Sequence, residues 1–319
     1  MAVAAAALAD AALTRRARAE DAYPSRAVTF IVPFAAGGSA DVYARLLAPR
    51  LQAALKQAFV VDDRPGAGSI IGTEFVKNAP ADGYTLLVIS NTHTVNETLF
   101  AKKPFKLMDD FVAVAPINAS DLVLVTRPGL GVATVAELIQ KAKADPGGLS
   151  YASSGPGTPY HMAGELFKQM AGVDILHVPY KASSAARVDV IAGQVDMMFD
   201  ATTTMASLIR GGKVVALATT GKARSDVLAS LPTVAATVPG YEALIWLGIV
   251  APKGTPDAVV RRLNQVVGGI ASSEEVRAAW GKDGAQPMVM SPAAFRDYLA
   301  TDITKWAQVV KLSGATAGQ

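Results

Sequence analysis

The sequence contains no cysteine. A chain without thiols has no disulfides, no thiolate metal ligands and no cysteine nucleophile. Histidine is also scarce: only His93, His161 and His177 occur, they are widely spread, and none has another histidine at metal-ligand spacing. The sequence therefore predicts no metal site.

Clustered positive charge is missing as well. The chain has 30 lysines and arginines against 27 aspartates and glutamates, a formal net charge of +3, and no run rich in basic residues. Nucleic-acid binding depends on such clusters, so a nucleic-acid partner is not expected. Beyond the alanine-rich start, no apolar run reaches the length of a membrane span.

Several catalytic and nucleotide-binding motifs are absent. There is no G-x-x-x-x-G-K-[ST] loop and no G-x-S-x-G elbow. In the run 66–72 the third glycine comes one residue late for G-x-G-x-x-G and no acidic residue completes the fingerprint, so this run is interpreted as a structural turn. Ser153, His161 and Asp200 include the residue types of a catalytic triad, but no motif places a base beside a nucleophile. No catalytic residue and no cofactor are predicted.

The first residues resemble part of an export signal. Residues 2–13 are alanine-rich and apolar apart from Asp10, and Ala17-Arg18-Ala19 follows them. A short apolar stretch before Ala-x-Ala is typical of the end of a secretory signal peptide. The arginines follow the apolar stretch instead of preceding it, so a disordered tail remains the alternative. Residues 1–21 are predicted to be a signal-peptide remnant or such a tail.

From residue 28 onward, strand-like runs alternate with helical patterns. This alternation predicts an α/β fold with mostly parallel sheets. The predicted strands are 28–32, 59–62, 85–90, 112–117, 123–126, 149–153, 175–178, 197–200, 214–219 and 245–250. The predicted helices are 41–55, 70–78, 134–144, 159–171, 183–192, 257–271, 274–280 and 292–312.

Two breaks in the pattern, near residues 119–120 and 241–242, flank a middle block with its own strands and helices. We therefore predict a discontinuous first domain, 22–120 plus 243–319, and an inserted second domain, 121–242. Two strands would cross between these domains and act as a hinge, with a ligand cleft beside them.

The most informative stretch is 28–41, where a strand runs through Gly37 and Gly38 into a helix. Such a loop aims unpaired backbone N–H groups and the positive end of a helix dipole at one point, which favours an anion. Residues 150–159 repeat the arrangement, so the two loops are expected to face each other across the cleft and grip the same ligand. Asp41 is expected to hold loop backbone or an ordered water.

Polar residues at two further strand ends are also candidates. His93 follows the strand 85–90, and we expect it either to donate to a ligand or to hydrogen-bond within its loop. Asp200 ends the strand 197–200, and we expect it to cap a helix or to accept from a ligand hydroxyl or water. Loops around His93, Tyr160 and residues 201–205 are expected to set selectivity for the far end of the ligand.

These features belong to a longer series of short motifs that runs along almost the whole chain after residue 22. In order they are Tyr23-Pro24-Ser25-Arg26, Val32-Pro33-Phe34-Ala35-Ala36-Gly37-Gly38-Ser39-Ala40-Asp41, Arg64-Pro65-Gly66-Ala67-Gly68, Asp82-Gly83-Tyr84-Thr85-Leu86-Leu87, Tyr151-Ala152-Ser153-Ser154-Gly155, His177-Val178-Pro179-Tyr180-Lys181, Leu231-Pro232-Thr233, Trp246-Leu247-Gly248, Ala251-Pro252-Lys253-Gly254-Thr255-Pro256 and Lys305-Trp306. The series resembles the periplasmic solute receptors of tripartite tricarboxylate transporters, the Bug family.

The resemblance implies a monomeric, two-domain periplasmic binding protein of type II-like architecture, exported through its N-terminal signal. Such a protein closes on a small organic carboxylate, a di- or tricarboxylate or an aromatic acid, and delivers it to a membrane permease. It is not an enzyme. Together with His93, the ligand-binding residues expected on this basis are Phe34, Ala36, Gly37, Gly38, Ser39, Asp41, Ser90, Thr92, Ser153, Ser154, Gly155, Gly157, Thr158 and Asp200.

The chain departs from the family's usual pattern at three places. It has Asp62-Asp63 where Glu-Asn is usual, Ala182 where glycine is usual, and Pro156 where asparagine is frequent. Pro156 removes a hydrogen-bonding side chain and a backbone N–H from the second loop, so the acid itself is not identified. Two alternatives stay open, namely a receptor for another class of transporter and a hydrolase that uses Ser153 or His93.

Overall fold

The computed structural model describes residues 23–100, 102–282, 284–313 and 315. The predicted signal-peptide remnant, residues 1–21, lies outside the described residues. None of the helices in the described part of the chain combines the length and the hydropathy that a membrane span requires.

Strands and helices alternate along the described chain, as an α/β fold requires. The strands are β1 (Val28–Val32), β2 (Phe59–Asp63), β3 (Thr85–Ser90), β4 (Phe111–Thr126), β5 (Ser150–Ser153), β6 (Leu176–Pro179), β7 (Met197–Ala201), β8 (Val215–Thr219), β9 (Leu244–Pro252) and β10 (Ala285–Pro287). The helices are α1 (Ser39–Leu55), α2 (Ile70–Lys77), α3 (Asn91–Leu99), α4 (Leu107–Asp110), α5 (Val135–Ala144), α6 (Pro159–Ala171), α7 (Ser183–Ile191), α8 (Thr202–Arg210), α9 (Asp257–Ser272), α10 (Glu274–Gly281) and α11 (Pro292–Ser313). The α/β class predicted from the sequence is confirmed.

The strands lie in the order β2-β1-β3-β9-β4-β7-β5-β6, with β8 and β10 also paired to β4. Strands β1, β2 and β3 pair in parallel, and so do β5, β6 and β7. The two long strands between these groups, β4 and β9, run antiparallel to their neighbours. The carboxyl ends of each parallel group therefore carry the strand-to-helix loops on which ligand sites of α/β proteins are built.

Strand β4 changes partners in its middle. Residues up to Asp121 pair with β9, whereas residues from Leu122 onward pair with β7 and β8. The sequence predicted two strands, 112–117 and 123–126, separated by polar residues. That separation is wrong, because β9 and β10 pair with residues 118–120 from both sides and keep the backbone extended.

Helices α3 and α8 were not predicted. Their first turns were expected to be loops around His93 and residues 201–205, and the structure corrects this. Most of α3 is polar yet buried, from Asn91 to Asn96, so no apolar stripe marks it in the sequence. Each of the two helices begins directly after a strand, β3 or β7, without a glycine or proline between them.

Apolar side chains pack on both faces of each parallel group. One core cluster joins β1 and β3 to α1 and α9 through residues such as Phe30, Leu47 and Leu263. Another joins β5 and β7 to α6 through Tyr151, Phe167 and other side chains. These cores leave the loops at the strand ends free to line a cavity.

Candidate functional site

A cavity of about 600 Å³ lies between the two glycine loops, with both loops in its wall. Its volume is within the usual range for small-molecule sites. The lining residues are Pro33, Phe34, Ala35, Ala36, Gly38, Ser39, Ala40, Pro65, Gly66, Ala67, Gly68, Ser69, Ser90, Thr92, Ser154, Gly155, Pro156, Thr158, Pro159, Tyr160, Tyr180, Lys181, Ala182, Ser183, Ile245 and Leu247.

Several helices begin at this cavity. The N-cap residues of α1, α3, α6 and α7 are Gly38, Ser90, Thr158 and Ala182, and all of them line it. Each helix N-terminus carries unpaired N–H groups and about half a positive charge. Convergence of these ends makes the potential in the cavity positive without requiring a cationic side chain.

The side chains that line the cavity reinforce this potential. Among the described lining residues none is acidic, and Lys181 is the only charged one. The hydroxyl Oγ1 of Thr92 is buried and has no hydrogen-bond partner among the described residues. A buried hydroxyl without a partner is costly, so it marks a position where a ligand atom or a water completes the hydrogen bonding.

Asp41 acts on the first loop and does not line the cavity. Its Oδ2 accepts a hydrogen bond from the backbone N–H of Gly37 at 2.9 Å, and its Oδ1 pairs with Arg45. Arg45 also contacts Asp63 Oδ2 at 2.7 Å. The carboxylate of Asp41 is thus used to fix the turn at Gly37, where φ is +78°. Holding loop backbone was one of the two roles expected for this residue.

We expect Asp41→Ala to weaken binding of a ligand in this cavity about tenfold, because losing a charged acceptor frees the Gly37 N–H and loosens the loop. Calorimetric titration measures this change. Arg45→Ala is the control, since the Arg45 side chain is 52% exposed and a surface ion pair contributes little. Equal losses in the two variants would contradict the role assigned to Asp41.

His93 lies in the first turn of α3 and is fully buried. Its Nδ1 accepts from the backbone N–H of Ser90 at 3.2 Å, while the Ser90 hydroxyl caps the helix in return. Its Nε2 lies 3.1 Å from Oγ1 of Thr73, whose proton is donated to the carbonyl of Ser69. The Nε2–H tautomer of neutral histidine satisfies all these bonds. Burial lowers the pKa of His93 to about 3, in agreement with that neutral state.

His161 and His177 hydrogen-bond to residues of the second glycine loop and hold it in place. His161 Nδ1 accepts from the backbone N–H of Gly157 at 3.1 Å, and His177 Nε2 lies 2.7 Å from Ser153 Oγ. The two imidazole rings stack with centroids 4.2 Å apart. Burial lowers the pKa of His161 to about 4 and that of His177 to about 3, so both are neutral near pH 7. Ser153 Oγ also accepts from Gly155 N–H at 3.1 Å, so its hydroxyl holds the loop together.

Asp200 lies at the end of β7 and is fully buried. Its Oδ1 accepts from the N–H of Ala201 at 2.7 Å, and its Oδ2 is 3.2 Å from Nε of Arg187. Burial raises the pKa of Asp200 to about 6, although Arg187 opposes the shift. Arg187 Nη2 also approaches the carbonyl oxygen of Gly37 at 3.5 Å, which connects α7 to the first loop.

The predicted ligand-binding residues thus fall into two groups. Those in the cavity wall are Phe34, Ala36, Gly38, Ser39, Ser90, Thr92, Ser154, Gly155 and Thr158. Those outside the lining, which support the loops, are Gly37, Asp41, His93, Ser153, Gly157 and Asp200.

Sequence reasoning missed part of the wall. The turn 65–69 was interpreted as structural only, and its Gly66, Ala67, Gly68 and Ser69 all have positive φ. The segment 180–183 and two side chains of β9 were also missed. A usable signal existed for the turn, because its glycines follow β2 at the same sheet edge as the first loop.

Comparison with known proteins identifies the family. The model of the tripartite tricarboxylate transporter family receptor matches residues 43–315. The chain belongs to this receptor family. The receptor is 38% identical over 298 residues to Protein BugT of Bordetella pertussis, covering 92% of this chain and 91% of BugT. Family members are solute-binding receptors and not enzymes. This chain is likewise a solute-binding receptor and not an enzyme.

Solved structures of similar proteins have the same fold. Rpa4515 of R. palustris, solved with adipate, is 35% identical to the receptor with a TM-score of 0.89, over 92% of this chain and 99% of that one. MatC of Rhodopseudomonas palustris, solved with bound malate, is 29% identical with a TM-score of 0.84, over 90% of this chain and 100% of that one. The predicted fold class and family are confirmed.

Proposed function

We propose that this receptor captures a small organic carboxylate in the cavity between the glycine loops, closes on it, and releases it unchanged to the membrane subunits of a tripartite transporter. One observation carries the proposal: the N-termini of α1, α3, α6 and α7 meet at a cavity whose described lining contains no acidic side chain. Adipate in Rpa4515 and malate in MatC, both carboxylates, support it.

The head of the ligand is assigned to the two glycine loops. Backbone N–H groups at the start of α1 and the hydroxyls of Ser39 and Thr92 are the donors available there. Pro159 contributes no N–H at the first position of α6, and the Thr158 hydroxyl donates to the carbonyl of Gly155 at 2.7 Å, so residues of the opposite loop have a larger share. The apolar part of the wall, including Phe34, Ile245 and Leu247, is assigned to the body of the ligand.

Closure is assigned to the crossing strands. We place the division between 22–120 plus 243–319 and 121–242, because β4 exchanges β9 for β7 and β8 at Asp121 and Leu122. The Arg187 contact to Gly37 then joins the two domains on the side of the cleft. A ligand that contacts both loops favours the closed state by its extra contacts there.

The place of action is the periplasm and the partner is the permease of the transporter. Membership of the receptor family supports both assignments. The alanine-rich residues before 22 are assigned to an export signal.

A thermal-shift screen of mono-, di- and tricarboxylates and aromatic acids tests the proposed function. An acid at about 100 times its Kd adds about 2.7 kcal/mol to the free energy of unfolding. For a chain of this size that corresponds to a Tm increase of about 4 °C. The amide of each active acid is the control and is expected to give no shift. A shift produced only by an unrelated class of compound would refute carboxylate binding.

A further inference from the structure

Arg187 connects two elements of the second domain proposed above to the first glycine loop. It lies in α7, its Nε is 3.2 Å from Oδ2 of Asp200 in β7, and its Nη2 donates to the carbonyl oxygen of Gly37 at 3.5 Å. We propose that Asp200 and Arg187 form an interdomain clasp that holds the two glycine loops in their closed arrangement and slows the release of the ligand. This inference rests on the closure proposed above and deepens it, because it assigns the rate of release to one pair of side chains.

The direction of the Arg187 guanidinium group is fixed by its own helix. Its Nε donates to the carbonyl oxygen of Ser183 at 3.2 Å, and its Nη2 donates to the Ser183 hydroxyl, also at 3.2 Å. Ser183 precedes Arg187 by four residues, so the two side chains lie on the same face of α7. Only 13% of the Arg187 side chain is exposed. The group is therefore held in the orientation that reaches Gly37.

The stability of the fold alone does not explain this buried pair. Asp200 is fully buried, and two charges removed from water are costly. Apolar residues in place of such a pair often stabilise a protein equally well. The position of the pair suggests another role, because Asp200 belongs to one parallel group of strands and Gly37 follows β1 of the other. Arg187 is thus paired on its own side of the cleft and uses Nη2 to reach across it.

Tyr160 shows that this contact lies at the ligand cavity. Its side chain lines the cavity and is buried. Burial and the neighbouring charge of Asp200 raise the pKa of the Tyr160 hydroxyl, whereas Ser39 and Arg187 act in the opposite direction. The phenol therefore lies between the buried pair and the first turn of α1. Opening of the cleft would separate Arg187 and Tyr160 from the first loop together, so release of a ligand requires this contact to break.

Stopped-flow measurement of the release of adipate and malate tests the clasp. Arg187→Met alone leaves a buried carboxylate without its partner, so it is studied beside the double variant Arg187→Met/Asp200→Asn, in which no charge is left unpaired. We expect koff to increase about fivefold in both, as for the loss of one hydrogen bond. The association rate should change less. Because the pair is buried, the increase should persist at high salt.

Two further variants separate the clasp from a general loss of stability. Arg187→Lys keeps a charge beside Asp200 but lacks the planar fork that reaches Gly37 at the same time, so it should retain most of the Tm and still release ligand faster. Arg127→Met is the matched control. Arg127 pairs with Asp196 at 2.9 Å, and both residues lie within the second proposed domain and outside the cavity lining. This control should lower the Tm and leave koff unchanged.

A distance measurement supplies a readout that needs no ligand. Since the chain contains no cysteine, Gln52→Cys in α1 and Gln140→Cys in α5 would introduce its only thiols, and both positions are exposed. Spin labels on these thiols report the separation of the two proposed domains. We expect Arg187→Met/Asp200→Asn to shift the distribution of label distances and Arg127→Met to leave it unchanged.

The clasp is overturned if the double variant releases both acids at the wild-type rate, or if Arg127→Met increases koff as much as Arg187→Met does. Wild-type release from Arg187→Lys would also contradict it, because charge alone would then be sufficient. If no acid binds and another class of compound does, it is the proposed function that fails. The label distances then decide on the clasp, and an unchanged distribution in the double variant overturns it.

Discussion

Gly157→Ala is expected to weaken ligand binding by about 30-fold or more. Gly157 has φ of +76°, a region that costs a residue with a side chain about 1–2 kcal/mol. A Cβ at this position would also lie 2.7 Å from Cδ2 of Leu99 and 3.0 Å from Oδ1 of Asn96, both in α3. Such overpacking costs about 1–3 kcal/mol more. The backbone strain is present with and without ligand and cancels in the affinity, whereas the clash opposes the approach of the cavity walls; its middle value of about 2 kcal/mol corresponds to about 30-fold in affinity.

The site of the clash explains why binding should suffer. Gly157 belongs to the loop between β5 and α6, whereas α3 follows β3 in the other parallel group. Their close approach brings the second loop to the helix whose N-cap, Ser90, lines the cavity. A methyl group between them would hold the two walls of the ligand cavity apart.

Gly37→Ala is the matched control for this prediction. Gly37 has φ of +78°, almost the same as Gly157, but a Cβ there would meet nothing within 4 Å. The control therefore carries the backbone strain without the clash. Calorimetric titration of both variants, with their Tm values measured without ligand, separates the two effects. Equal losses of affinity would show that the approach of the loop to α3 does not matter for binding.

The sequence was sufficient to predict the two glycine loops. Gly37 and Gly155 occur between a strand pattern and a helix pattern, and both turns have the positive φ that favours glycine. The topology then follows, because parallel strands place such loops at one edge. The chemistry proposed for the site, backbone N–H groups and hydroxyls that bind an anion, was therefore accessible before the structure.

Helix α3 shows what the sequence could not reveal. Its residues are buried by polar contacts: Asn91 accepts from the N–H of Trp246 at 3.0 Å, and Thr94 donates to Asp302 at 2.6 Å. These partners lie more than 150 residues away, so no local pattern predicts them. The position of the turn 65–69 could have been inferred from its glycines, but its backbone conformation could not. Ala67 and Ser69 have positive φ there, and only the surrounding structure can impose that on residues other than glycine.

The role of His93 also depended on the structure. From the sequence it was either a ligand donor or a member of a loop. The structure places it instead in a capping box, in which Ser90 and His93 exchange hydrogen bonds. Glutamine or glutamate usually occupies the third position of such a box. Glutamine at position 93 would therefore preserve the capping box while removing the ionisable ring. This comparison gives the second large predicted effect, which is on stability.

His93→Gln is expected to make the free energy of unfolding less sensitive to acid. The pKa of His93 is lowered to about 3 by burial, against about 6.5 in the unfolded chain. The unfolded state therefore binds a proton more readily, and the stability that neutral His93 provides is complete above pH 6.5 and is lost as the pH falls toward 3. Each pH unit in this window is worth up to about 1.4 kcal/mol, or up to about 2.7 kcal/mol between pH 6.5 and 4.5.

The comparison with the variant is needed because other groups act in the opposite direction. Burial raises the pKa of Asp121 and Asp200 to about 6, so their contributions favour the folded state as the pH falls from 6 toward 3.8. The wild-type curve contains both kinds of group. Subtracting the His93→Gln curve removes everything except the titration of His93, provided that glutamine maintains the cap at Ser90.

Urea denaturation of the wild type and His93→Gln at pH 7, 5.5 and 4.5 measures this difference. The wild type should lose up to about 2.7 kcal/mol more than the variant between pH 6.5 and 4.5. The reason is burial: a second proton would place a charge on a fully buried ring, and the Ser90 carbonyl, 3.3 Å from Nδ1, offsets only part of that cost. In the folded protein His93 stays neutral over this pH range, so its titration should leave ligand affinity unchanged between pH 6.5 and 4.5. A difference between the two proteins that does not change with pH would mean that His93 is not held in its neutral form.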